Sequence, residues 1–257
     1  TDLGLRFGQC DALFAAIGAI AERQGVGALL AEGSRRAAIE TGANTQRWAM
    51  HVKGLELPGY EPRSLKTMAL GLAVSPRGAC HNRSGAYEAD FSGDVDRLRS
   101  DPGRGSIVAA SEDFAAVLDS LIVCKFLRKC FSDFYREGAE LLSKVTGWDY
   151  SSDELKRTGE RIHNLKKLFN QREGWRAEDD WLPERLLRET LPTGVAQGVG
   201  LGVNDLREMI GGYYQARGWD ENGFIPQSKL RELGIEAPVS SLESRLSGQP
   251  KTRNSNL

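Results

Sequence analysis

The sequence predicts a mainly α-helical protein with little strand. Three observations carry this. Apolar residues recur at spacings of three and four over most of the chain. Helix boundaries are marked by Ser, Asp and Pro at starts and Gly at ends. Only one stretch alternates apolar and polar residues, so strands do not alternate with helices and sheet-based nucleotide folds are disfavoured. At 257 residues, 40% hydrophobic and 27% charged, the chain suffices for one large domain or two small ones, and whole-chain disorder is excluded.

Taken in order, Asp11 to Arg23 reads as helix, because Leu13, Ile17 and Ile20 follow the helical period and Gly25 and Gly27 stop it. A second helix is expected from Ala28 to Glu40, with Gly42 as its C-cap. Trp48, Met50, Val52, Leu55 and Leu57 suggest a half-buried strand between Arg47 and Pro58. Leu65 to Val74 is a short apolar helix that runs into the loop Ser75 to His81. Residues 84–106 are rich in Gly, Ser, Asp and Arg and read as surface loop with at most one helical turn. Ser111 is then a plausible N-cap. Phe114, Val117, Leu118, Leu121 and Ile122 form a stripe at i, i+3, i+4, i+7 and i+8. Phe134 to Val145 is a further helix, ended by Gly147.

The next start is the most clearly written. Ser151 and Glu154 form a capping box, with Tyr150 and Leu155 at the staple positions. Leu155, Ile162, Leu165 and Phe169 carry that helix to Gly174. A connection containing Pro183 and Pro192 follows. Asn204 to Arg217, closed by Gly218, and Pro226 to Leu233, with Pro226 near N1, are the last helices. From Pro238 onward the chain is polar and is expected to fray.

Charge excludes two classes of partner. Lys plus Arg is 34 against 35 for Asp plus Glu, a net of -1, so no global basic field holds a nucleic acid or an anionic membrane. The longest near-continuous apolar run is Ala12 to Ala21, too short for the roughly 20 residues of a membrane span. The four cysteines, Cys10, Cys80, Cys124 and Cys130, fit no disulfide framework and include no CxxC pair. Reduced thiols in a cytoplasmic protein are the default. The opening at Thr1, without Met, suggests a processed or trimmed piece, or one part of a larger protein.

Candidate chemistry gathers at two places. His81, after Arg77-Gly78 and Cys80, is a loop imidazole able to act as acid, base or ligand near neutral pH, or simply to bond backbone. Arg83 could hold an anionic group or face water. Asp119 sits in an apolar stretch, where burial would demand donors such as those of a polar cofactor. On a continuous helix Asp119 and Cys124 would diverge by about 140°, so they serve different neighbours unless the helix ends between them. Cys10 and Cys130 lack ligand-spaced companions and read as packing residues, as do His51 and His163. Gly194 to Gly202 has neither the strand before it nor the Lys after it that a P-loop requires, and reads as a flexible connection.

Six stretches occur together: LLAEGSRRAA (29–38), KGLELPGYEPR (53–63), SPRGACH (75–81), DSLIVC (119–124), TGWDYSSDELKRTGERIHNLKKLFNQREG (146–174) and YYQARGWDENGFIP (213–226). In order and spacing they resemble the C-terminal part of the tungsten-containing aldehyde:ferredoxin oxidoreductase family. The resemblance implies the tail of a helical second domain over 1–50, a helical third domain over 51–237 and a polar tail over 238–257. It implies a tungsten (or molybdenum) bis-pterin and a [4Fe-4S] cluster, with aldehydes oxidised to carboxylic acids and electrons passed to ferredoxin. By resemblance His81 handles the proton, Asp119 contacts a pterin, Cys124 is one cluster ligand, and Arg83 and the Val123 position touch the cofactor. The family motif D-x-x-G-L-C is departed from at Ile122 and Val123, and Ile does not readily take a positive φ. The three other cluster cysteines and the pterin-binding domain are absent from this sequence, so an N-terminal portion or a separate subunit must supply them. The alternatives are a helical binding module that has lost the cofactor, and a relative acting on an aromatic thioester or sugar phosphate.

Overall fold

The computed structural model describes residues 4–235. Among these, twelve α-helices and one two-stranded antiparallel hairpin form, so the chain is mainly α. The polar tail expected over 238–257 lies outside the described residues. No described helix is long and apolar enough to cross a membrane. The chain divides into two compact units, Thr1–Ser111 with Glu178–Tyr213 and Glu112–Ala177 with Tyr214–Leu257.

The first unit opens with α1 (Cys10–Ala21), α2 (Val26–Leu30) and α3 (Gly33–Thr41). The single helix expected over Ala28 to Glu40 is therefore two, parted where Gly33 takes φ +79°. The stripe Leu13, Ile17 and Ile20 is exposed and Ala16 is the buried residue of α1. Cys10 is exposed too, and not a packing residue. The expected strand shrinks to a hairpin, β1 (His51–Val52) and β2 (Leu55–Glu56), with Val52 opposite Leu55. Lys53 and Gly54 both have positive φ, the requirement of a type I′ turn. Trp48 belongs instead to the 3₁₀ turn Thr45–Trp48.

Helix α4 (Lys66–Val74) is buried at all nine residues. Its first amides are satisfied from outside: the carboxylate of Asp90 accepts from the N–H of Thr67 at 3.1 Å and of Met68 at 2.9 Å. Short helices α5 (His81–Ser84) and α6 (Tyr87–Ser92) occupy what reads in sequence as loop. Helix α7 runs Arg104–Ser120, so it starts seven residues before Ser111, which is not its N-cap. The cause is tertiary. The buried Arg104 guanidinium pairs with Asp90 at 3.3 Å and bonds Thr67 and the carbonyls of Asp96 and Arg99, outweighing the Gly and Ser around it.

The second unit is built on α8 (Phe134–Thr146) and α9 (Ser152–Arg172). The chain then returns to the first unit for α10 (Glu184–Arg188), unforeseen between the two prolines, and for α11 (Val203–Arg217) as far as Tyr213; α12 (Gln227–Leu233) comes last, with Pro226 as its N-cap and not at N1. The capping box forms as written: Ser151 Oγ accepts from Glu154 N at 3.2 Å and Glu154 accepts from Ser151 N at 2.8 Å. Tyr150 and Leu155 join one apolar cluster with Val117, Leu118, Phe134 and Ala139. Gly159 lets α9 approach α7, since a Cβ there would stand 2.5 Å from the carbonyl oxygen of Asp113.

The inward face of α9 differs from its expected stripe. Leu165 and Phe169 are exposed, whereas His163, Asn164 and Lys167 are buried. Each has a remote reason. His163 Nε2 lies 3.4 Å from Glu112. Asn164 accepts from the Trp219 indole N–H at 2.8 Å. The Lys167 ammonium is 2.9, 4.7 and 5.5 Å from the ring centres of Trp175, Trp219 and Tyr214.

Candidate functional site

Asp119, Val123 and Cys124 stand on the turn that ends α7. Val123 N–H donates to Leu118 O at 3.0 Å and Ile122 N–H to Asp119 O at 3.1 Å, the paired bonds of a Schellman turn. Such a turn needs a left-handed residue, and Ile122 takes φ +57°. The backbone therefore keeps the shape that Gly would give, against a cost of about 1–2 kcal/mol for a side chain in this region. Val123 packs against the apolar cluster that contains Leu118, in keeping with the apolar contact that accompanies the motif. Helix α7 thus stops between Asp119 and Cys124, and the divergence of a continuous helix does not apply.

Asp119 is exposed, not buried as its apolar neighbours suggest. It stands in the last turn of α7, which holds no basic residue, so its charge opposes the helix dipole by roughly 0.3–1 kcal/mol. Cys124 is exposed in extended backbone, φ -59° and ψ 129°, before the 3₁₀ turn Lys125–Leu127. Cys130 is likewise exposed, against the expectation of packing. Because Val123 N–H is taken by Leu118, the group this residue can offer a ligand is its carbonyl. Among the described residues no group of three His, Cys, Asp or Glu could hold a metal ion. The exposed Cys124 thiol is of the type that can serve as one soft ligand to a metal cluster.

His81 and Arg83 stand in the first unit, on α5, with the buried Cys80 as N-cap residue. The sequence missed what surrounds the imidazole. Its ring centre lies 5.5 Å from that of Tyr60 and 6.0 Å from that of Tyr87, and the two tyrosines stack at 5.3 Å. Tyr60 is presented by a braced loop. Pro62 follows it, and the Glu61 carboxylate receives Arg63 at 2.8 and 2.9 Å, while Arg63 also donates to Glu189 O at 3.2 Å. Lys53 was missed as well. It caps α4 by donating to Ala73 O at 2.7 Å and pairs with the buried Asp180 at 2.8 Å, fixing the helix end from which the His81 loop departs. Neither tyrosine belongs to a periodic pattern; the block that contains Tyr60 was the available signal.

The remaining histidines have structural surroundings. His51 Nδ1 accepts from Gly54 N–H at 3.4 Å, and burial with the nearby Arg35 lowers its pKa. His163 is pushed well below its ordinary value by burial and then by Arg217, so its 3.4 Å contact with Glu112 is not an ion pair at neutral pH. Arg217, 1% exposed, pairs with Glu112 at 2.9 Å and Asp113 at 2.6 Å. Burial raises the pKa of Asp113, and Arg217 partly offsets this.

A family model described as aldehyde ferredoxin oxidoreductase, domains 2 and 3, matches residues 1–235. The chain is 37% identical over 236 residues to a tungsten-containing aldehyde ferredoxin oxidoreductase of Pyrococcus abyssi and 37% over 235 residues to that of Pyrococcus horikoshii. Each alignment covers 90% of this chain and 38% of the relative, so the chain spans well under half the length of the curated relatives it matches. Among solved structures, the active site complex BamBC of benzoyl coenzyme A reductase superposes with a TM-score of 0.67 at 17% identity, covering 95% of this chain and 41% of that one. At that identity the likeness concerns the fold.

Proposed function

Since the chain belongs to the aldehyde ferredoxin oxidoreductase family, we propose that it is the C-terminal part of a tungsten (or molybdenum) pterin oxidoreductase that converts aldehydes to carboxylic acids. The balanced reaction is aldehyde plus water to acid, two protons and two electrons, the electrons leaving through a [4Fe-4S] cluster to ferredoxin. When bound, the metal–pterin centre and the cluster supply the redox chemistry. Cys124 contributes one thiolate to the cluster. Asp119 offers carboxylate oxygens to pterin N–H donors, and Val123 its carbonyl. His81 takes up and returns a proton at a ring nitrogen, its ring oriented by Tyr60 and Tyr87. Arg83, two residues on, holds an anionic part of the cofactor. The tail of a second domain over 1–50 and a third domain over 51–237 are part of this reading, as is a cytoplasmic setting that keeps the thiols reduced. The remaining polypeptide, joined or separate, brings the other cluster ligands and the pterin-binding domain.

One observation supports this reading above the rest. The turn after α7 keeps a left-handed residue between Asp119 and Cys124 although Gly has been replaced by Ile. Backbone strain held at a sequence-motif position is a feature of working sites. The test is metal analysis of the whole protein carrying Cys124→Ala: iron should be lost while helical content stays, and normal iron would refute the ligand role. His81→Ala should lower turnover with tungsten or molybdenum and iron unchanged; unaltered turnover would count against proton transfer. A whole protein without tungsten, molybdenum or iron would favour the binding module instead.

A further inference from the structure

We propose that α6 is a positioning element of the site: Tyr87 sets the direction of the His81 imidazole, and Asp90, one turn on, fixes the helix that carries Tyr87. This rests on His81 being the proton carrier. A histidine ring turns broadly about its second torsion, so packing has to choose where its nitrogens point. Two rings make that choice here. His81 meets Tyr60 at 5.5 Å and Tyr87 at 6.0 Å, tilted by 50° and 52°, and the tyrosines stack on each other at 5.3 Å with 23° between their planes. Each of the three rings packs on the other two, and Phe91 meets Tyr87 edge-on at 6.4 Å.

The fold holds Tyr87 firmly. Helix α5 ends after one turn at Gly85, whose φ of +67° turns the chain so that α6 brings Tyr87 back beside His81. The junction of the two short helices lies on α4. A Cβ at Gly71 would stand 2.8 Å from Ser84 Oγ and 3.2 Å from Ala86 Cβ, so Gly71 is what lets both approach. The fully buried carboxylate of Asp90 then accepts the first amides of α4 and pairs with Arg104. Tyr87 is thus tied to the same helix from whose end the His81 loop departs. A displaced α6 would leave the imidazole present but misdirected, and a misplacement of about 1 Å can cost a reaction about a hundredfold.

The test uses the whole protein with its cofactors, assayed with acetaldehyde and benzyl viologen as electron acceptor. Tyr87→Leu removes the ring and should lower kcat about tenfold or more, with KM, tungsten or molybdenum and iron unchanged. Tyr87→Phe keeps the ring and should recover most of that loss. Tyr87→Leu in a His81→Ala background should cause no further loss, because a residue that acts through the imidazole then has nothing to position. A further loss of similar size in that background overturns the proposal. So does a rise in KM in place of the fall in kcat, a loss of metal, or an equal loss in Tyr87→Phe. If circular dichroism shows that Tyr87→Leu does not fold, Tyr87→Met takes its place and the same outcomes are read. The two ideas fail separately. If His81→Ala turns over normally, the proton-transfer reading falls whatever Tyr87 does. If His81→Ala is slow and Tyr87→Leu is not, only the positioning role falls.

Discussion

The same turn closes α7 and α11, in opposite settings. After α11, Trp219 N–H bonds Tyr214 O at 2.9 Å and Gly218 N–H bonds Gln215 O at 3.0 Å, matching the bonds of Val123 and Ile122 after α7. Gly218 fills the left-handed position at φ +66°, and its neighbours turn inward. Arg217 reaches Glu112 and Asp113, and Trp219 reaches Asn164. At the α7 turn the left-handed residue is Ile, and Asp119, Ile122 and Cys124 are all exposed. One turn is relaxed and ties the interior together. The other is strained and presents its groups outward. Identical backbone bonding thus serves stability in one place and presentation in the other.

The largest break in this contrast is expected from Arg217→Ala. It leaves Glu112 and Asp113 without their buried counter-charge, a loss of about 3–5 kcal/mol. Urea unfolding followed by circular dichroism measures it, and a loss under 1 kcal/mol would deny the α11 turn its structural weight. Next comes pH. His163 is held neutral when folded and protonates below about 6.5 when unfolded. Stability should therefore fall as pH drops below that value, by up to about 1.4 kcal/mol per unit from this residue. The raised pKa of Asp113 works the other way at lower pH. His163→Gln should flatten the slope between pH 6.5 and 5, and an unchanged slope would assign it to other groups.

A reciprocal pair sharpens the comparison further. Gly218→Ile should cost about 1–2 kcal/mol, since its Cβ meets Lys229 only at ordinary contact distance and strain is the main penalty. Ile122→Gly should gain about 0.5–1 kcal/mol, the released strain less the added chain entropy of Gly. Shifts of the same sign in the two variants would overturn the assignment of strain to Ile122.

Legibility followed the range of the forces involved. The capping box at Ser151 was readable because both partners lie within four residues. The start of α7 was hidden because Arg104 is anchored by Thr67 and Asp90, remote in sequence. The polar inner face of α9 was hidden for the same reason, since Lys167 answers to rings at 175, 214 and 219. At the candidate site, the residue types at 81, 119 and 124 could be read, but not their presentation. The bend at Ile122 runs against that residue's own preference, and Tyr60 and Tyr87 reach His81 only through folding.

The ring of aromatics around Lys167 has a practical meaning for chemistry in the cell. Its nitrogen is sealed from solvent in the folded chain, so acetylating or ubiquitinating enzymes reach it only when that part of the protein has come apart. A mark found on this lysine would record a molecule caught before maturation or after damage.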